Sequence, residues 1–478
     1  MTGESLRYQS IAEQLAEAIR RGVYRAGNRL PSLREAARAH RVALGTASRA
    51  YAELERRGLI EARPRSGYVV ARPVARAHAE PQLSTPRRRR TSVDVSELVF
   101  ELLDELKVAG MVPLGSAFPS PTLFPLPALN RAAAAAARRL DPWCSVTDLP
   151  PGNEALRRAI AQRYVLSGCD VDPAGIVITN GALEAINLCL QAVTRPGDAV
   201  AIESPAFYAT LQAIERLGLK AVEIPTDPRT GMDIDELARS IRQQRVRACV
   251  LMSSFQNPLG CSMPEEHKAA LRAVIEQHGI PLIEDDVYAE LYHDGKRPRP
   301  VKAGDRSGLV MHCSSFSKSL APGYRIGWAA PGRYAERVIR LKVMTSIATA
   351  SVTQATLAAY LRHQAYDRHL RQLRVALKVQ HRALTESMDR HFPENCRVTR
   401  PAGGYFLWVE FPDRVDTVEL HRAVEREQIS LAPGPLFSAS RAYRNCVRLN
   451  FGHPFSRAHE RAIARIGALA GRRRSSKP

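Results

Sequence analysis

Apolar positions recur at Ile11, Leu15, Ala18 and Ile19, one face of a helix over residues 8–21 that Gly22 closes. The run Pro31-Ser32-Leu33-Arg34-Glu35 opens a second, short helix that ends near His40. Ser32 is its N-cap and Glu35 returns the bond, a capping box. A tight connection through Val42 leads to a third helix, residues 44–57, with a buried stripe of Ala47, Ala50, Tyr51 and Leu54 and a stop at Gly58. Two short strand-like runs, 59–62 and 67–70, flank Arg63-Pro64-Arg65-Ser66. Three helices and a hairpin in this order predict a winged helix-turn-helix, all-α with a wing, over residues 5–73.

Residues 74–92 carry Pro, Arg and Ser without a period, which predicts a charged, semi-stiff linker. Leu98, Leu102, Leu103 and Leu106 then mark an amphipathic helix leading into a large domain, residues 93–470. From about residue 111, strand-like runs (175–179, 199–203, 248–253, 281–284, 309–313) alternate with helical patterns. Such alternation predicts an α/β fold, a mainly parallel sheet with helices on both faces. From about 340 a long helical stretch precedes the runs 403–409 and 446–451, a small α+β C-terminal subdomain.

The chain has 478 residues, long for one domain, and 45% of them are hydrophobic. That fraction builds a core and excludes global disorder. No window approaches the roughly 18–20 apolar residues of a membrane span, so no membrane partner is expected. The first residues show no basic-then-apolar pattern, so no signal peptide is expected. The formal charge is +21. Residues 1–73 carry a net +7 and residues 74–92 a net +4, so the excess is concentrated at the N-terminal end. This location points to nucleic acid as the partner of the first module. The Arg87–Arg90 run offers a further phosphate contact or serves only as a solvated hinge; both readings stand. Eight scattered cysteines make no C-x-x-C pair and no zinc spacing. They imply a reducing, cytoplasmic compartment.

A helix-turn-helix presents its second helix to the major groove. Here Gly45, Thr46, Ser48 and Arg49 lead that helix; small and hydroxylic side chains allow close approach, and Arg49 can reach a phosphate or a guanine. Arg34 opens the preceding helix, and Arg65, Ser66 and Gly67 form the wing tip. This segment resembles the winged helix of the GntR regulator family in Leu30-Pro31-Ser32-Leu33-Arg34-Glu35, in Ala47-x-x-Ala50-Tyr51-x-x-Leu54-x-x-x-Gly58 and in Arg65-Ser66-Gly67-Tyr68.

In the large domain, Ser315-Phe316-Ser317-Lys318 follows a buried strand. A buried lysine is costly unless paired or converted, and a Schiff base with an aldehyde cofactor converts it. Ser315 and Arg325 can hold a phosphate dianion. Asp285 ends a strand and can keep a pyridine nitrogen protonated. Asp285-x-x-Tyr288 and Asn257-Pro258 bring a hydroxyl and an amide to the ring oxygen, and Phe207 can stack on the ring. Gly181, Ala182 and Leu183 form a strand-to-helix turn whose N–H groups favour phosphate. Singly, each has a plainer reading: Asp285 as a helix cap, Phe207 as core, Asn257-Pro258 as a turn.

Together these runs resemble the fold-type I aminotransferases, and the whole chain resembles the MocR subfamily of GntR regulators. The resemblance implies pyridoxal 5'-phosphate (PLP) as cofactor, Lys318 as the Schiff-base and catalytic lysine, and a homodimer. It implies that Arg448 clamps a substrate α-carboxylate, a role suited to a guanidinium fork. Two departures stand out. Ala182 and Leu183 occupy positions where relatives often carry a hydroxyl or an amide. Thr147 stands where relatives often carry a tyrosine for the neighbouring subunit's phosphate. The expected function is a DNA-binding regulator that senses an amino acid or PLP itself. The alternatives are a working aminotransferase with a DNA-binding appendage, or a lyase or racemase on the same scaffold.

Overall fold

A computed structural model of the chain describes residues 3–25, 27–56, 58–63, 67–70, 78–105, 107–362 and 365–471. The chain forms two units, Met1–Ala77 and His78–Pro478. In the first, α1 (Gly3–Arg20), α2 (Leu33–Ala39) and α3 (Leu44–Arg56) precede an antiparallel pair, β1 (Ile60–Arg63) and β2 (Gly67–Val70). The apolar stripes meet as expected: Ile11 and Leu15 pack with Ala47, Ala50, Tyr51, Leu54, Ile60 and Val70. Both bonds of the Ser32–Glu35 capping box are present. Tyr51 sits at the centre, its hydroxyl donating to the Pro31 carbonyl at 2.8 Å and its ring meeting Tyr68 edge-on.

The second unit is built on a sheet of nine strands among the described residues. These are β3 (Arg90–Ser92), β4 (Val177–Thr179), β5 (Ala199–Ser204), β6 (Lys220–Asp227), β7 (Gly231–Met232), β8 (Val246–Leu251), β9 (Leu282–Asp285), β10 (Val310–Ser315) and β11 (Gly327–Ala330). The spatial order is β3-β6-β5-β8-β9-β10-β11-β4, with β7 paired to β6. From β6 to β10 every neighbour is parallel, while β11 is antiparallel to both β10 and β4. A smaller antiparallel sheet takes β12 (Arg397–Val398), β13 (Phe406–Glu410), β14 (Ala432–Pro433) and β15 (Cys446–Asn450). The helices Ala365–His391 and Arg457–Gly471 supply Leu373, Leu384, Ile463 and Ile466 to its core. All eight cysteines are free thiols. No described helix is long and apolar enough to cross a membrane.

The expected linker is described from His78 onward, and there it lies on the second unit. The Ala79 carbonyl accepts from Val398 N–H at 2.8 Å, and β3 adds to the sheet edge beside β6. Arg88 pairs with Glu236 at 3.1 Å and Arg90 donates to the Gln244 carbonyl. Half of the Arg87–Arg90 run is thus engaged by protein, which corrects the picture of a solvated hinge. The backbone polar groups of this stretch find partners in the sheet edge.

Leu54 is fully buried where α3 meets α1 and β1. Leu54→Ala should destabilise the first unit by about 2–5 kcal/mol. Amide exchange of α1 and α3 should accelerate accordingly; unchanged exchange would remove α3 from the core.

Candidate functional site

On α3, Gly45, Ser48 and Arg49 are exposed, as is Arg34 on α2. Thr46 is not: it is buried, which corrects its expected place on the DNA-facing surface. Its position, four residues before Ala50, puts it on the packed stripe rather than opposite it. Gly67 has φ +76° with open space at its Cβ position, a left-handed conformation that favours glycine. Arg65 and Ser66 lie outside the described residues.

The second unit gathers a buried polar wall. Lys318 follows the C-terminal end of β10, and Asp285 ends the neighbouring strand β9, in register with Cys313. The Lys318 Nζ donates to the Ala117 carbonyl at 3.0 Å and lies 3.9 Å from the Phe118 ring centroid. Burial, then repulsion from Arg448, lowers its pKa to about 7. Asp285 is buried, and its Oδ1 has no hydrogen-bond partner. Burial, then repulsion from Asp286, raises its pKa to about 7, against the attraction of Lys318. Asp286 is held low despite its burial, because His312 and Arg297 stabilise its charge.

Arg448, on β15, is fully buried. Its Nη1 donates to Asn257 Oδ1 at 3.1 Å and its Nη2 to the Gly115 carbonyl at 2.6 Å, while Nε has no partner. Among the described residues no carboxylate pairs with it; the rings of Phe406, Phe437 and Tyr208 surround it instead. Asn257 Nδ2 donates to the Tyr288 hydroxyl at 3.3 Å, so Asn257 joins Arg448 to Tyr288. Phe207 is half-buried and packs on Tyr208, ring centroids 4.6 Å apart.

The turn after β4 borders this wall, with Ala182 packed against the core cluster that holds Tyr288 and Tyr405. Gly181, φ +89°, precedes the helix Ala182–Val193. A Cβ there would sit 2.5 Å from Arg325 Nη2. Gly327 is equally constrained, since its Cβ would fall 2.7 Å from Ala182 N. These two glycines let the turn, β11 and Arg325 meet. Arg325 donates to the Asn180 carbonyl at 3.2 Å and to Ser317 Oγ at 3.4 Å. The hydroxyl it meets is therefore that of Ser317; Ser315 Oγ accepts from Ser317 N–H. Ala182 is half-buried and Leu183 is exposed, so only backbone N–H groups offer themselves at the helix start. Thr147 turns its hydroxyl back to the Trp143 carbonyl in its own helix.

Nothing in the sequence points to residues 115–118, yet they belong to the site. Their carbonyls accept from Arg448, Lys318, Tyr405 and Asn450. Backbone acceptors leave no mark in a sequence. Gly327 and Tyr405 do leave one, in Arg325-Ile326-Gly327 and Gly403-Gly404-Tyr405.

Comparison with known proteins matches residues 124–466 to the family "Aminotransferase class I and II" and residues 7–70 to "Bacterial regulatory proteins, gntR family". The uncharacterized HTH-type transcriptional regulator YdcR of Escherichia coli (strain K12) is 43% identical, over 97% of this chain and 98% of that protein. YjiR of the same organism is 37% identical over 96% and 98%. Among solved structures, the α-aminoadipate aminotransferase LysN of Thermus thermophilus, complexed with N-(5'-phosphopyridoxyl)-L-leucine, aligns with TM-score 0.71. It is 26% identical, over 78% of this chain and 94% of that one.

With a pKa near 7, Lys318 should be a free base above neutrality. In the cofactor-free chain its acylation by a pulse of acetic anhydride should have a midpoint near 7. An exposed lysine titrates near about 10.4. Arg448→Gln should raise the Lys318 midpoint, because a repelling charge is lost. Peptide mass spectrometry reads both, and a wild-type midpoint near that of exposed lysines would contradict the site's electrostatics.

Proposed function

Because this chain belongs to the GntR-type regulators that carry an aminotransferase class I and II domain, the MocR architecture, we propose that it binds DNA through the first unit and senses an amino acid, or PLP itself, through the second. The observation that carries this reading is Arg448: a buried guanidinium, unanswered by any described carboxylate, beside a buried lysine. A buried cation left unanswered in this way is matched by a ligand that brings its own anion.

The residues fit pyridoxal 5'-phosphate. Asp285, with an orphaned buried oxygen, would accept a hydrogen bond from the ring nitrogen. Asn257 and Tyr288 would face the ring oxygen, and Phe207 would cover the ring. Ser315, Arg325 and the N–H groups of Gly181, Ala182 and Leu183 would hold the phosphate. Lys318 would supply the amine for the aldehyde, and Arg448 would take the α-carboxylate of an amino acid. When bound, the cofactor supplies an electron sink to an attached amino acid. The loss of the hydroxyl or amide at Ala182 and Leu183 leaves Arg325 with a larger share of the phosphate charge.

On the first unit, Arg34, Ser48 and Arg49 would face DNA, with Gly67 and its neighbours Arg65 and Ser66 as wing. A two-fold dimer would pair two such heads on two half-sites. Turnover as an aminotransferase is the lesser reading, because the relatives that span nearly the whole chain are named regulators.

The test uses full-length protein and a DNA fragment that it selects from its own genome. An effector amino acid, with PLP, should change DNA affinity by about 5–150-fold, the usual range of coupling between sites. Lys318→Ala should bind the DNA and ignore the effector. If affinity ignores every amino acid and PLP alike, the sensing reading fails. Separately, Arg448→Ala should retain PLP and weaken amino-acid binding by about 2–5 kcal/mol, read from the cofactor's absorbance.

A further inference from the structure

We propose that Glu105, His421 and Glu425 form a binding site for one divalent transition-metal ion, in a cleft that shares no residue with the wall around Lys318. His421 and Glu425 lie four residues apart on the helix Thr417–Glu425, so both point from one face of it. Glu105 is the last residue of the helix Ser96–Glu105. One ligand atom from each of the three lies within 4.8 Å of the others. Tetrahedral ligands bound at about 2.0–2.2 Å from one ion lie about 3.3–3.6 Å apart, so the three side chains would draw together by roughly an ångström on binding.

A His–Glu hydrogen bond does not exhaust the cluster. His421 Nε2 meets Glu105 Oε1 at 2.7 Å. Glu105 Oε2 and His421 Nδ1 are nevertheless buried without any partner, and Glu105 is only 8% exposed. A buried carboxylate oxygen left without a donor is destabilising unless something positive meets it. Arg422 is the one described cation lining the cleft, against Glu101, Asp104, Glu105 and Glu425. Asp104 is engaged by Lys107 at 2.6 Å. A protein of net charge +21 has thus collected four carboxylates around one cleft of about 570 Å³. That local reversal of sign points to a cation rather than to an organic anion.

One imidazole and two carboxylates suit Zn²⁺ or Mn²⁺, whereas Mg²⁺ favours oxygen ligands alone. Three protein ligands leave room for water on the ion. The ion would fasten the helix Ser96–Glu105 to the helix Thr417–Glu425, two elements distant in sequence. No signal in the sequence announces such a site, because Glu105 is far from the other two.

The full-length chain, stripped with a chelator and dialysed, is titrated with ZnCl₂ and then with MnCl₂ by calorimetry. Retained metal is counted after gel filtration. One equivalent per chain is expected for at least one of the ions. Glu425→Ala changes an exposed residue and should keep the near-ultraviolet circular dichroism of the wild type. It should weaken binding by at least about tenfold, since even outer-shell changes cost that much. His421→Ala should abolish binding of that equivalent. The proposal is overturned if the wild type retains neither ion at millimolar concentration. It is equally overturned if folded Glu425→Ala binds as tightly as the wild type.

Discussion

A guanidinium buried with no carboxylate among the described residues to answer it is the constraint around which the large unit is arranged. Taking an ion out of water costs several kcal/mol even after the protein relaxes. Arg448 offsets this with two acceptors, the Gly115 carbonyl and Asn257 Oδ1, and with aromatic faces. A second cation cannot be kept charged cheaply beside it. Burial first, and the neighbouring Arg448 second, lower the Lys318 pKa to about 7, while burial and the adjacent Asp286 raise that of Asp285 to about 7. A positive site with a neutral amine at its centre is poised for an anionic, carbonyl-bearing partner.

The fold supplies that arrangement through its strand order. The parallel run from β6 to β10 ends beside the antiparallel β11, which brings Gly327 opposite Thr179. The two glycines then allow the β4 turn and Arg325 to approach within the space a single Cβ would fill. The two arginines thereby fall on different elements of one unit: Arg325 after β10, and Arg448 on β15.

Much of this is legible in the sequence, and the exceptions have physical reasons. Arg448 stands out as a charge inside an apolar strand, Asp285 as one at the end of a strand, and Lys318 as one just after a buried strand. The strands β6 and β11 escape a reading by pattern. β6 mixes Lys220, Glu223, Pro225 and Asp227 into its run, and β11 is four small or aromatic residues long. Thr46 is misplaced by such a reading because a helix that packs on two sides buries a wider stripe than four alternating residues mark. β3 reads as linker because three polar residues at a sheet edge satisfy their backbone without burying side chains. The carbonyls of residues 115–118 are invisible for the same reason: backbone acceptors are the same in every sequence.

The central claim is that the wall around Lys318 is built for an aldehyde cofactor. It is tested most directly by adding pyridoxal 5'-phosphate to the full-length chain, reducing with borohydride and mapping the labelled peptides. The account predicts one pyridoxyl group per chain, on Lys318, and much weaker incorporation in Asp285→Asn, which lacks the carboxylate for the ring nitrogen. Label spread over exposed lysines, or concentrated on any lysine other than Lys318, would contradict it.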